Sequence, residues 1–267
     1  MMSFDFTGRN AIVIGAGSGI GKAIAMQLAD NGANVWAGDI ANAEAAAKDM
    51  QETFGPLHNA GYGFSACDVS KEESVRALFS DAITAFEDIH IVVNSAGVFM
   101  PKLLLEATAD EIKSHLDINL MGIVYGCRLA LETMIAQGKG GKIVNISSVG
   151  GRQGESKSPY YALGKGAVLN WSQSVALYGA PYGINCNAIC PGIIRTPMWD
   201  VILGAEGGGD PNIDQEALFK EIVAARTPLG RAQTADEIAY AAAFFCSDYA
   251  DVITGQALNV DGGGNLN

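Results

Sequence analysis

Asn10-Ala11-Ile12-Val13-Ile14-Gly15-Ala16-Gly17-Ser18-Gly19-Ile20-Gly21 is the stretch on which the fold turns. Its first five residues are almost continuously apolar, as expected of a parallel strand buried on both faces. The glycines then mark a tight turn. From Gly19 to Asp30 the apolar residues Ile20, Ala23, Ile24 and Leu28 share one helical face, with Gln27 a single polar break,. A strand, a glycine turn and a helix in that order form a cradle for a pyrophosphate: glycine lets the backbone approach closely, and the helix start offers free N–H groups and partial positive charge. Gly15, Ser18, Gly19, Ile20 and Gly21 are the candidate contacts. The spacing is Gly-x-x-x-Gly-x-Gly, not the Gly-x-Gly-x-x-Gly of many dinucleotide sites. A glycine turn by itself is also compatible with no ligand at all; the strand–turn–helix context is what the motif requires.

Outward from this unit, short β-rich runs alternate with helical patterns. Strands are expected at 34–38, 63–67, 90–93, 142–146, 184–189 and 257–260, and helices at 41–54, 72–86, 110–137, 161–178 and 235–246. Strands separated by helices imply right-handed βαβ units and a parallel sheet covered on both faces. No repeat of 20–50 residues and no linker between two cores is visible, so residues 1–267 read as one domain. Residues 199–229 resist assignment beyond a helical patch near 217–225. A loop of that length in an α/β domain points to a substrate lid, placed at about 195–229.

Composition narrows the function classes. A net charge of −12 and a pI of about 4.6 argue against nucleic acid or an anionic membrane as partner, since both need a basic face,. No basic, apolar leader opens the chain and no uninterrupted run of about 18 apolar residues is present, so neither a secretory signal nor a membrane span is expected. Five cysteines, an odd number in apolar surroundings, read as buried thiols in a reducing, cytoplasmic compartment,. Cys186 and Cys190 lack a nearby histidine, and His58, His90 and His115 are isolated and read as surface or satisfied residues. No metal site is expected.

Two further features carry chemistry. Asp39 closes the second strand, 18 residues beyond Gly21. A carboxylate there accepts both hydroxyls of an adenosine ribose and repels a 2′-phosphate. No Arg or Lys lies in 16–19 or directly after Asp39 to offset that, so NAD rather than NADP is the expected cofactor; the alternative is a solvated turn residue. Tyr161 stands four residues before Lys165, on one helix face. A phenol with pKa near 10 is a poor base at neutral pH and needs a nearby cation to favour the phenolate. Tyr160 has Gly164 at the same spacing, so Tyr161 is the preferred base.

The chain resembles the short-chain dehydrogenase/reductase family over essentially its whole length. The matching pieces are Gly15-x-x-x-Gly19-x-Gly21, Asp68-Val69, Asn94-Ser95-Ala96-Gly97, Asn119-Leu120-Met121-Gly122, Ser147-Ser148, Tyr161-x-x-x-Lys165, Pro191-Gly192 and Asp261-Gly262-Gly263. Three positions depart from the common pattern: Ile14 for Thr, Ser95 for Asn and Gly164 for Ser. The resemblance implies a Rossmann fold, a doubly wound, parallel, seven-stranded sheet with helices on both faces. It implies that Ser148 holds the substrate oxygen, that Lys165 also binds the nicotinamide ribose, and that Asn119 sits at a helix kink holding a water that leads to the lysine. It further implies adenine contacts at Asp68 and Val69, central cofactor contacts at Asn94, Ala96 and Gly97, and nicotinamide contacts at Pro191, Gly192, Ile194 and Thr196. A homotetramer built through the helices at 110–137 and 161–178 is also implied.

Specificity falls to 149–159 and 195–226. The first segment holds Arg152, Gln153, Glu155, Ser156 and Lys157, which either line a hydroxyl-rich site or face water. The second begins Thr196-Pro197-Met198-Trp199-Asp200 and resembles the vicinal-diol and polyol dehydrogenases of the family, such as acetoin reductases and sorbitol or galactitol dehydrogenases. Ser148, Gln153, Glu155, Tyr161 and Trp199 are the candidate substrate contacts. The expectation is therefore an NAD-dependent oxidation of a small polyol or diol to a ketone. A 3-oxoacyl thioester reductase and a non-catalytic NAD-binding scaffold are the rival readings.

Overall fold

In the computed structural model the apolar run forms β1 (Asn10–Ile14), with every residue buried. Residues 4–40, 52, 61–210 and 212–266 are described; the helix expected at 41–54 lies outside them apart from Glu52. The other strands are β2 (Asn34–Asp39), β3 (Tyr62–Ala66), β4 (Ile91–Asn94), β5 (Gly141–Ile146), β6 (Ile184–Pro191) and β7 (Ala257–Val260). The helices are α1 (Gly19–Asp30), α2 (Glu72–Phe86), α3 (Ala109–Leu116), α4 (Gly122–Gln137), α5 (Pro159–Gly179), α6 (Pro197–Glu206), α7 (Gln215–Arg226) and α8 (Ala235–Cys246). The strands make one seven-stranded, wholly parallel sheet in the order β3-β2-β1-β4-β5-β6-β7. This is the doubly wound Rossmann-type sheet expected.

Strand alternation builds both layers at once. Successive side chains leave β1 on opposite faces, so Ala11 and Val13 enter one core and Ile12 and Ile14 the other,. The first core holds Ile24 and Leu28 of α1 against Ile238, Ala242 and Phe245 of α8. The second holds Leu78 and Phe79 of α2, Cys127 and Met134 of α4, and Val168 and Val175 of α5. All five cysteines are buried free thiols. Because β2 lies on one side of β1 and β4 on the other, the chain reverses direction at β1. The crevice that opens beyond the C-terminal strand ends at such a reversal is where open α/β sheets bind ligands.

Two expectations need correction. The helix expected at 110–137 is interrupted: α3, started by a Thr108–Glu111 capping box, gives way to a π-helical turn at Asp117–Met121 before α4. The whole 109–137 stretch is long and apolar enough to cross a membrane by length and composition, with 50% of its most apolar window buried in this fold. The helical patch expected near 217–225 is α7, and residues 197–206, expected as loop, form a further helix, α6. Pro197 at the start of α6 and the Asp214 side chain, which accepts from Glu216 N–H and Ala217 N–H, define their beginnings,. Leu203, Phe219, Ile222 and Val223 give this pair an apolar cluster of its own, with Trp199 edge-on to Phe219 at 5.3 Å.

Candidate active site

The turn after β1 is closed by what its glycines lack. Gly15 sits at φ +85°, and a Cβ on it would lie 2.4 Å from Ala96 N; one on Gly21 would lie 2.0 Å from the Gly15 carbonyl oxygen. Helix α1 then begins with no acidic residue in its first turn, and its N-cap Ser18 makes no side-chain capping bond. Its leading N–H groups therefore have no acceptor from the helix itself. Ser18, Gly19, Ile20 and Gly21 line a cleft of about 1180 Å³, and a pyrophosphate suits these donors,.

Asp39 lines this cleft beside the glycine turn, where its Oδ2 accepts the Gly17 N–H at 2.8 Å. It is thus tied to the glycine turn rather than being a merely solvated turn residue. Asp68 and Val69 also line the cleft. The Asp68 carboxylate is taken up locally: Oδ1 accepts from Ser70 N–H and Oγ–H, and Oδ2 pairs with Lys71 Nζ at 2.8 Å. Lys71 and Ser70 together hold the Asp68 carboxyl below the usual carboxylate range. Ala96, Gly97, Pro191, Gly192, Ile194 and Thr196 complete the walls. Asn94 does not join them. Its side chain is buried under the sheet, where Nδ2 donates to Asn145 Oδ1 at 2.8 Å.

Ser148, Tyr161 and Lys165 converge on the same cleft. Two elements fix them: β5 runs out through Ser147 and Ser148, and α5 starts at Pro159. Ser147 Oγ donates to the Lys165 carbonyl at 2.7 Å, pinning α5 to the strand end, while Ser148 Oγ accepts the Gly150 N–H at 3.0 Å. Lys165 Nζ donates to the Ile146 carbonyl at 3.0 Å and stands 5.9 Å from the Tyr161 ring centre. The ammonium is therefore neighbour rather than direct partner to the phenol. Burial pushes Lys165 down to about 8. Burial also raises Tyr161 above its ordinary value, opposed by the adjacent Ser148 hydroxyl. The buried phenol is thus harder to ionise here than in water.

Asn119 occupies the π-helical turn, fully buried and outside the cleft wall. Its Oδ1 accepts the Val98 N–H at 3.1 Å and its Nδ2 donates to the Val98 carbonyl at 3.0 Å and the His115 carbonyl at 3.1 Å. It clamps the loop after β4. A Cβ on Gly97 would fall 2.9 Å from Asn119 Oδ1 and 3.2 Å from Lys165 Nζ, so Gly97 keeps open the space between them. His115, expected as an isolated residue, is buried with its ring centre 6.3 Å from that of Tyr161, and Phe99 meets Tyr161 edge-on at 5.3 Å. Neither contact is local in sequence; only the position of Phe99, two residues beyond the Asn94–Gly97 segment, hinted at it.

Beyond Tyr161 the cleft is lined by Gln153, Glu155 and Trp199, and also by Glu206, Arg226 and Asn265. Arg152 is absent from the wall because it is fastened to β7, its Nε donating to Asn259 Oδ1 at 3.0 Å. Asp261 folds the C-terminal segment against the cleft by accepting from Gly263 N–H and Asn265 N–H. Among the described residues no group of three or more metal-ligating side chains occurs.

A family model described as enoyl-(acyl carrier protein) reductase matches residues 15–265. The chain is 34% identical to a diacetyl reductase [(S)-acetoin forming] of Staphylococcus epidermidis, over 96% of this chain and 98% of that one. It is 35% identical to a 3-oxoacyl-[acyl-carrier-protein] reductase of Chlamydia muridarum, over 95% and 96%. The chain belongs to the short-chain dehydrogenase/reductase family. The crystal structure of levodione reductase superposes on this short-chain dehydrogenase/reductase with a TM-score of 0.88, at 32% identity over 97% of this chain and 98% of that one. The chain is accordingly an oxidoreductase of a family that generally uses NAD or NADP on small-molecule substrates.

Proposed function

We propose that this chain is an NAD-dependent dehydrogenase that interconverts a small secondary alcohol, a polyol or vicinal diol, with its ketone. One observation carries the reading: Ser148, Tyr161 and Lys165 open onto the same cleft as the glycine turn and Asp39. When bound, the dinucleotide would supply the hydride acceptor or donor. Ser148 Oγ holds the substrate oxygen through charge development. Tyr161 Oη takes the hydroxyl proton in oxidation and returns it in reduction. Lys165 stays charged below about pH 8, favours the phenolate and orients the ribose,. Asn119 positions the loop bearing Gly97 and Val98 beside Lys165, at the point where a water would join the two.

NAD is favoured because the Asp39 carboxylate stands beside the phosphate turn, where a 2′-phosphate would meet like charge,. Polyols and diols are favoured because the substrate end carries Gln153 and Glu155, which pair with hydroxyls at little desolvation cost, beside the apolar face of Trp199,. The acetoin-forming relative supports the same substrate class. Residues 1–267 are read as one cofactor-binding domain, with about 195–229 its substrate lid. A homotetramer through the 110–137 helical stretch and α5 is supported by exposed Leu163, Leu177 and Tyr178 on α5. The test is a screen at the NADH absorbance band across diols, sugar alcohols, sugars and acyl thioesters with both NAD and NADP. Turnover confined to acyl thioesters would replace the diol reading, and none with any class would favour a cofactor-binding scaffold.

A further inference from the structure

Three charged side chains from three separate elements meet at the substrate end of the cleft, and all three line it. Lys157 precedes α5, Glu206 ends α6 and Arg226 ends α7. Lys157 Nζ lies 2.5 Å from Glu206 Oε2, and Arg226 Nη2 lies 3.4 Å from Glu206 Oε1. The carboxylate is the inner member: its side chain is 17% exposed, against 65% for Lys157 and 55% for Arg226.

Two of these charges sit where their helices disfavour them. Glu206 occupies the negative C-terminal end of α6, and Lys157 stands just before Ser158, at the positive N-terminal end of α5,. Local helix electrostatics therefore do not explain the pair; their juxtaposition across the cleft does. The consequence is chemical. Both oxygens of Glu206 are engaged, one by each cation. Glu155 adds a second carboxylate to the same wall and has no ion-pair partner among the described residues. An incoming anion thus finds two cations already committed and two carboxylates that repel it.

We propose that Glu206 sets the charge preference of the substrate site, withholding Lys157 and Arg226 from carboxylate- or phosphate-bearing substrates and reserving the cleft for uncharged hydroxyl and carbonyl compounds. This rests on the reading of the cleft as a dehydrogenase site and names the substrate class more narrowly. Glu206→Gln keeps the shape of the side chain and frees both cations. Lys157→Met removes one cation and leaves Glu206 paired with Arg226. The two substitutions therefore act oppositely on anions, whereas loss of a purely structural clasp weakens every ligand in both.

The experiment measures binding of butane-2,3-diol and of 3-hydroxybutyrate, one uncharged and one anionic at the same chain length, by calorimetry with NADH present, so that neither alcohol is oxidised during the titration. The anion-to-diol affinity ratio is expected to rise at least tenfold in Glu206→Gln, about 1.4 kcal/mol, and not to rise in Lys157→Met. An unchanged ratio in Glu206→Gln, or an equal rise in both variants, overturns the proposal. Turnover of the diol with NAD is followed separately on the same protein preparations. Absent turnover with the ratio shift intact removes the diol reading and leaves the assignment to Glu206.

Discussion

Replacing Asp39 by Ala tests cofactor choice at a single carboxylate. In the structure Asp39 Oδ2 accepts the Gly17 N–H at 2.8 Å, and a Cβ on Gly17 would lie 2.8 Å from that carboxylate. The side chain is thus packed against the turn that would hold the pyrophosphate. A hydrogen bond to a charged acceptor contributes about 1.5–3 kcal/mol, so the variant should bind NAD roughly ten- to a hundredfold more weakly. The repulsion removed from NADP is of similar size. One unit charge on the 2′-phosphate at about 5 Å, with an effective dielectric near 20, costs about 3 kcal/mol, and screening at this half-buried site brings that to about 1.5. The two effects act in opposite directions on the two cofactors. The ratio of kcat/KM for NAD to that for NADP should therefore fall by at least a hundredfold in Asp39→Ala. Steady-state kinetics with both cofactors and one alcohol measure it. A wild-type enzyme preferring NADP, or a variant whose ratio moves less than threefold, would refute the assignment of Asp39 to the ribose.

Two further outcomes follow from the catalytic end of the cleft. In Gly97→Ala the new methyl, 2.9 Å from Asn119 Oδ1 and 3.2 Å from Lys165 Nζ, must displace one of them; kcat should drop about a hundredfold while thermal denaturation shows a fold retained,. A kcat within threefold of wild type would show that the space over Gly97 is not used. The pH dependence also has a definite sign. Oxidation needs the deprotonated phenol, which burial holds up, while Lys165 loses its charge above about 8. Oxidative kcat/KM should rise from about pH 6 towards 8 and level or fall beyond, whereas reduction, which needs the protonated phenol, stays flat through the neutral range. An oxidation rate that declines between about pH 6 and 8 would contradict Tyr161 as the base.

Where periodicity and glycine punctuation are both strong, the sequence reads directly into structure. β1, α1, α2, α8 and β7 begin and end where the pattern places them; the first four each have a buried face, and β7 is bounded by Gly255 and by Asp261-Gly262-Gly263. The π-helical turn at Asp117–Met121 was hidden, since the apolar pattern runs straight through it; the deviation is fixed by Asn119 clamping Val98, a contact across 21 residues. Helices α6 and α7 were legible in part. Thr196-Pro197 and Asp214 are ordinary helix-start signals, obscured by Gly207-Gly208-Gly209 between them,. Of the candidate site, the motif residues converge, but Asn94 turns away because its amide completes a buried bond to Asn145. His115, Glu206 and Arg226 reach the site region through tertiary contacts that carry no local signal.

Tyr161→Phe removes a single oxygen from the centre of the account and leaves the glycine turn, Asp39 and Lys165 in place. Turnover of the best alcohol found in the NAD screen, measured beside NAD affinity by calorimetry, is expected to fall by at least a thousandfold while affinity stays within threefold of wild type. Activity surviving within tenfold would contradict Tyr161 as the group that moves the proton.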